Sequence, residues 1–175
     1  MKFTPLPLLL VLAAIPAGCS SVPDIVETRG TAAALLATDP DASLRYIDAT
    51  DPELRGDSPL QLLAAEACAR AGQLDEAARR YEEVIARTYS PTLRDLALRN
   101  LAVVQLQGDH PEAAYATLGQ LSERARKEPS TQRDLGVAAV AAGRLDRARV
   151  HFASLSADER ARIARVLGSD FFAQP

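Results

Sequence analysis

"AGQLDEAARRYEEVI", Ala71–Ile85, holds the arrangement that decides the fold: a glycine at 72, an alanine five residues on at 77, and an aromatic, Tyr81, four beyond that. "AGRLDRARVHFASL" (142–155) repeats it with Gly143, Ala148 and Phe152. "QGDHPEAAYATLGQL" (107–121) keeps the glycine at 108 and an alanine at 113. The three glycines lie 36 and 35 residues apart, and 35 residues before Gly72 stands Ala37, opening "ATDPDASLRYIDA" (37–49). A fixed period of this length is the signature of a repeat architecture.

Aligned on the glycine, the columns read Ala37, Gly72, Gly108 and Gly143; then, five on, Ala42, Ala77, Ala113 and Ala148. Nine on they read Tyr46, Tyr81, Thr117 and Phe152; seven before, Gly30, Ala65, Leu101 and Gly136. Each unit is expected to be two antiparallel helices joined by a turn in which glycine relieves the backbone. The small residues let the helices approach, and the large residue one turn beyond the alanine fills the space between them. Asp39-Pro40, Ser58-Pro59 and Ser90-Pro91 place a capping side chain before a proline, which suits the first helical position. After Leu155, Ser156 and Glu159 predict a capping box, Ala161, Ile163, Ala164 and Leu167 an apolar face, and Gly168 a helix end. Such a helix would cap the last repeat. Phe171 and Phe172 either fold back on it or stay loose.

These columns resemble the tetratricopeptide repeat (TPR) family, whose period is 34 residues. The resemblance runs from about Pro23 to Leu155; the family's tryptophan is absent and its leucine-glycine pair survives only as Leu135-Gly136. It implies an all-α fold: a right-handed α-solenoid of about four TPR helix pairs with a C-terminal capping helix. The expected organisation is a leader over 1–18, a linker over 19–22, the solenoid over 23–155, and the capping helix and tail over 156–175.

The first eighteen residues do not belong to that pattern. Lys2 is followed by an almost wholly apolar run from Leu6 to Ile15, too short to span a bilayer but suited to the core of a signal peptide. "AIPAGCSS" (14–21) then resembles the bacterial lipoprotein signal, in which a small residue precedes a cysteine that is lipidated and becomes the new N-terminus. Pro16 stands where that signal usually has leucine, and the alternative is an ordinary secretory signal cut near "AIPAG". The resemblance makes Cys19 the lipid anchor. Ser20, in place of the aspartate of inner-membrane retention, favours the periplasmic face of the outer membrane. Ser20 to Pro23 would reach ~13 Å at full extension, holding the first helix close to the bilayer.

With Cys19 acylated, Cys68 is the one remaining thiol, so no internal disulfide forms; its alanine-rich setting reads as a small buried hydrophobe. His110 and His151 lack metal-ligand spacing and read as surface histidines. No nucleophile motif or phosphate-cradling loop is present, and no cofactor or metal is implied. A net charge of −3 with interleaved signs excludes a basic nucleic-acid footprint. The charges of "LDEAARRYEE" (74–83) read as a solvated face.

What is left is a non-enzymatic binding surface. In the TPR pattern the first helices of successive units line a groove, here expected to show Leu62, Glu66 and Arg70, then Asp95, Leu98, Ala102 and Leu106, then Arg133, Val137 and Val140. That apolar channel suits an amphipathic helix or apolar peptide, with Arg70, Arg99 and Arg133 able to meet an acidic group. Some of these apolar residues could instead pack against the next helix. The layout resembles lipoproteins of pilus and secretion systems, the pilotins of type IV pili and the TPR lipoprotein of Tad (Flp) pilus assembly. That resemblance implies a protein or peptide partner in the cell envelope. The alternative class is a scaffold or regulator of peptidoglycan and other cell-envelope enzymes.

Overall fold

The computed structural model describes residues 24–172, which are helical throughout apart from short connections. Cys19, the leader and the linker lie outside the described residues. Four helix pairs follow one another: α1 (Ile25–Thr38) with α2 (Pro40–Asp48), α4 (Ser58–Arg70) with α5 (Leu74–Arg87), α6 (Pro91–Gln107) with α7 (Pro111–Leu118), and α9 (Pro129–Ala141) with α10 (Leu145–Ala153). The one-turn helices α3 (Pro52–Arg55) and α8 (Glu123–Arg126) sit at two junctions, and α11 (Ala157–Leu167) closes the array with a 3-10 turn, Ser169–Phe172. The two helices of each pair pack together, each second helix packs on the first helix of the next unit, α2 on α4, α5 on α6 and α7 on α9, and first helices of adjacent units also touch, α1 on α4 and α4 on α6. This is the expected all-α solenoid.

Each pair is built on the same three buried positions. The first helix contributes Ala32, Ala65, Ala102 or Gly136 and the second Ser43, Ala77, Ala114 or Ala148. One turn further along, the second helix inserts Ile47, Tyr81, Leu118 or Phe152, each no more than 2% exposed. Burying such a side chain stabilises the pair by roughly 1.5–3 kcal/mol. In the first pair the Ser43 hydroxyl donates to the Ala32 carbonyl at 2.8 Å, satisfying a polar group where the other units have alanine.

This register corrects the expected columns in two units. In the third, the left-handed turn residue is Asp109 (φ 60°), the counterpart of Gly72 (φ 77°) and Gly143 (φ 69°). Gly108 has φ −85°. The same long turn bond recurs at each site: Gln73 N–H to Cys68 O at 2.9 Å, His110 to Gln105 at 2.8 Å and Arg144 to Ala139 at 2.8 Å. Ala102, Ala114 and Leu118 therefore hold the places assigned to Leu101, Ala113 and Thr117. In the first unit no glycine-type turn exists. Asp39 ends α1 and caps α2, so Ser43 and Ile47 replace Ala42 and Tyr46 as the inward pair.

Two junctions are alike and one is not. Asp51 and Ser122 cap α3 and α8, and Gln61 and Gln132 each donate a 2.6 Å side-chain bond to the carbonyls of Arg55 and Arg126. Between the second and third units α5 and α6 run unbroken for 14 and 17 residues. Capping follows expectation at Ser90 and Asp39, but α4 is capped by Asp57, whose carboxylate accepts from Leu60 N–H at 2.9 Å, with Ser58 already helical. Ser156 and Glu159 form the capping box of α11, and Gly168 (φ 97°) ends it. Phe171 and Phe172 fold back edge-on to Phe152, with ring centroids 6.0 and 6.4 Å away.

Candidate functional site

The corrected register shows which first-helix residues face outward. Directly after Ala65, Ala102 and Gly136 come Glu66, Val103 and Val137; two before them stand Leu63, Asn100 and Asp134. Val103 is 53% exposed and Val137 47%, and Leu96, two turns before Val103 on α6, is 45% exposed. Three aliphatic side chains on the first helices of successive units are thus left to solvent on one face.

Between α4 and α6 this face holds a cavity of about 230 Å³ lined by Glu66, Arg70, Tyr81, Asn100, Val103 and Gln107 among others. Tyr81 forms its floor; burial pushes its phenol up to about 12, and Asn100 is its hydrogen-bond partner, so the hydroxyl stays protonated. Arg70 donates to Glu66 at 2.5 Å and to the Leu36 carbonyl at 3.2 Å. A second cavity of about 330 Å³ runs along the start of α6 against α8, with Leu96 and Arg99 on one wall and Ser122 and Arg124 on the other. Asp95 there accepts from the Ser122 N–H at 2.9 Å and its hydroxyl at 2.6 Å, which fixes α8.

Of the residues expected in the groove, Glu66, Arg70, Asp95, Arg133 and Val137 are at least partly accessible. Leu62, Leu98 and Ala102 are not: they are 8%, 1% and 1% exposed and belong to the core. Leu106 and Val140 are half-buried against that core. For Leu98 and Ala102 the misplacement follows from the register, since counting from Leu101 turns the third unit's wheel by one residue; Leu62 lies in a unit whose register holds and is packed into the core with Ala65, Cys68 and Tyr81. Leu96, Val103 and Gln107 were missed through the same slip, and aligning Ala102 with Ala65 and Gly136 would have found them; Asn100, two residues before Ala102, lies at an offset counted in no unit. The three arginines considered for an acidic group already have partners: Glu66 for Arg70, Glu128 at 2.5 Å for Arg99, and Asp134 at 3.7 Å for Arg133. Asp134 is raised above the usual carboxylate range by burial, which the arginines oppose.

The rest of the chemistry is structural. Cys68 is fully buried, and desolvation raises its thiol pKa, the opposite of what a nucleophile needs. His110 is exposed at the start of α7. His151 is half-buried, a correction to its surface reading: Nε2 lies 3.1 Å from the Tyr115 hydroxyl and Nδ1 3.0 Å from Gln132 Oε1, tying α10 to α7 and α9. On the opposite face of the second unit Glu76 pairs with Arg79 and Arg80, which hold its carboxyl down to about 2, and Arg79 also pairs with Glu83. This is the solvated ladder expected of 74–83.

A sequence profile described as a tetratricopeptide repeat-like domain matches residues 33–167. No curated protein matches the chain. Among solved structures, MamA from Desulfovibrio magneticus RS-1 (residue 41 to the end) is similar at 18% identity and a TM-score of 0.63, covering 77% of this chain and 75% of that one. A MamA RS-1 ArsTM double mutant is similar at 17% identity with the same TM-score and coverage. At such identity the likeness is one of fold.

Proposed function

The chain belongs to the tetratricopeptide repeat-like family, and from that premise we propose that it is a non-enzymatic protein-binding adaptor, lipid-anchored through Cys19 at the periplasmic face of the outer membrane. The observation that carries the binding role is the exposed Leu96–Val103–Val137 set across neighbouring first helices. Its neighbours Asn100 and Gln107 offer side-chain amides. This mixture suits an amphipathic segment that lays aliphatic side chains on the valines and offers its polar edge to the amides. Anchoring rests on the sequence "AIPAGCSS". A tether of a few residues would raise the adaptor's effective concentration toward other membrane-bound components. The assembly it serves is, on this reading, a Tad or type IV pilus or a secretion system.

Two experiments test the parts separately. Labelling cells with an alkyne fatty acid should mark the protein and not Cys19→Ala; equal labelling, or none in the unaltered chain, contradicts the anchor. Crosslinking from the first-helix face should capture pilus or secretion components. Capture of peptidoglycan synthases or hydrolases would replace that role with the envelope-scaffold alternative.

A further inference from the structure

The repeat has two edges. On one, first helices start and second helices end; on the other lie the turns within each pair. Arg29, early in α1, donates from Nε to Asp57, the cap of α4, at 2.8 Å, and Arg94, early in α6, donates to the Ile85 carbonyl near the end of α5 at 2.9 Å, so the starts and ends lie side by side. The described chain enters at this edge, with Asp24 capping α1.

Between the second and third units the same edge carries "RTYSPTLR", 87–94. No one-turn helix covers the connection here, and Tyr89 is 102% exposed, more than any other large hydrophobic side chain among the described residues. Arg87 and Arg94 are exposed on either side of it, with no carboxylate between them, and make no ion pair among the described residues. The next carboxylate, Asp95, is held by Ser122. The first turn of α6 has no acidic residue, although a helix N-terminus favours one. At the other edge of the same helices the turns are acidic, with Asp75 opening α5 and Asp109 and Glu112 between α6 and α7. At the α3 and α8 junctions exposed charges of both signs stand together, Glu53 with Arg55 and Glu123 with Lys127.

An exposed tyrosine flanked by arginines is the composition that settles at headgroup level, ring at the interface and guanidinium groups on phosphates. Whether it can reach a bilayer is a matter of tether length. Residues 20–23 span at most ~13 Å, whereas α1, with 14 residues, is about 21 Å long. With Cys19 at the bilayer, the edge where α1 starts can lie on the surface and the turn edge cannot. First helices of adjacent units touch, at about 8–10 Å between axes, which puts the start of α6 about 20 Å along that surface from the start of α1.

We propose that the 87–94 connection is a second membrane contact, with Tyr89 among the headgroups of the leaflet that carries the Cys19 lipid and Arg87 and Arg94 on lipid phosphates. The proposal rests on the anchor read at Cys19. A single anchor lets the solenoid swivel; a second contact sets it edge-on to the bilayer and leaves the first-helix face open sideways, toward partners in the plane of the membrane.

The chain has no tryptophan, so Tyr89→Trp supplies a lone reporter and His110→Trp, exposed at the turn edge, its control. The test uses the lipidated full-length chain in vesicles of phosphatidylethanolamine and phosphatidylglycerol, with and without brominated acyl chains, and no other protein; circular dichroism confirms the fold of each variant. Expected at position 89 are emission shifted to shorter wavelength and quenching by bromine, both weakened by adding Arg87→Glu, with neither at position 110. Protein that floats with the vesicles while residue 89 stays as wet as residue 110 overturns the proposal and leaves the anchor standing; a loop that meets protein instead of lipid gives this result. Equal quenching at 89 and 110 overturns it too, since the edge-on orientation is then lost. Protein that does not float overturns the Cys19 anchor and the proposal together, and flotation alone tells that failure apart.

Discussion

The edge of the Phe152 ring occupies the space a side chain at residue 136 would need: a Cβ built on Gly136 would lie 2.1 Å from Cε1 and 2.5 Å from Cδ1. In the fourth unit, then, the small residue of the first helix has been reduced to hydrogen and the aromatic moved into its place. Gly136→Ala should destabilise the protein by roughly 1–3 kcal/mol by overpacking. Combined with Phe152→Leu it should cost less than the two changes summed. Urea unfolding of the four proteins checks this; additive losses would mean that ring and glycine are not coupled.

The turn residues give a second test, at backbone level. Gly72→Ala and Gly143→Ala force a side chain into the left-handed region and should each cost ~1–2 kcal/mol. Asp109→Gly should be neutral or stabilising, because Asp109 already sits at φ 60°. Gly108→Ala should be nearly silent, its Cβ meeting nothing closer than His110 Cδ2 at 3.4 Å. A large loss at Gly108 and none at Gly72 would return the register to the glycine column.

That register shows how far the sequence could be read. The helix pairs, the capping box at Ser156, the buried thiol and the solvated ladder at 74–83 were legible because each is written in local spacing. The third unit was not. Ala77 and Ala102 are 25 residues apart where Ser43–Ala65 and Ala114–Gly136 are 22, and the added length is absorbed in unbroken α5 and α6. Gly108 stands one place before the turn residue, so a glycine anchor slips the unit by one and sends Leu98 and Ala102 to the groove. Val103, the residue that faces it, is then missed. A helical wheel turns 100° per residue, and one slip exchanges core for surface.

His151 predicts a pH dependence. Burial, and then the Arg147 charge, lower its pKa below 6.5, so the unfolded chain takes up a proton more readily than the folded one. Its contribution to stability should be complete above about pH 6.5 and decline as pH falls from there through the lower folded value. Thermal melts between pH 7.5 and 5 should show a downward trend that shrinks in His151→Gln. An unchanged trend would place its source elsewhere.

The central claim, that the first-helix face is where a partner binds, is tested most directly by photocrosslinking in cells, with the crosslinker at position 103 or 137 and, as a control, at Arg79 on the opposite face. The account predicts the same captured partner from 103 and 137, its loss when Leu96→Asp is added, and no such capture from 79. Capture from 79 with none from 103 and 137 would contradict it and move the binding surface to the second helices.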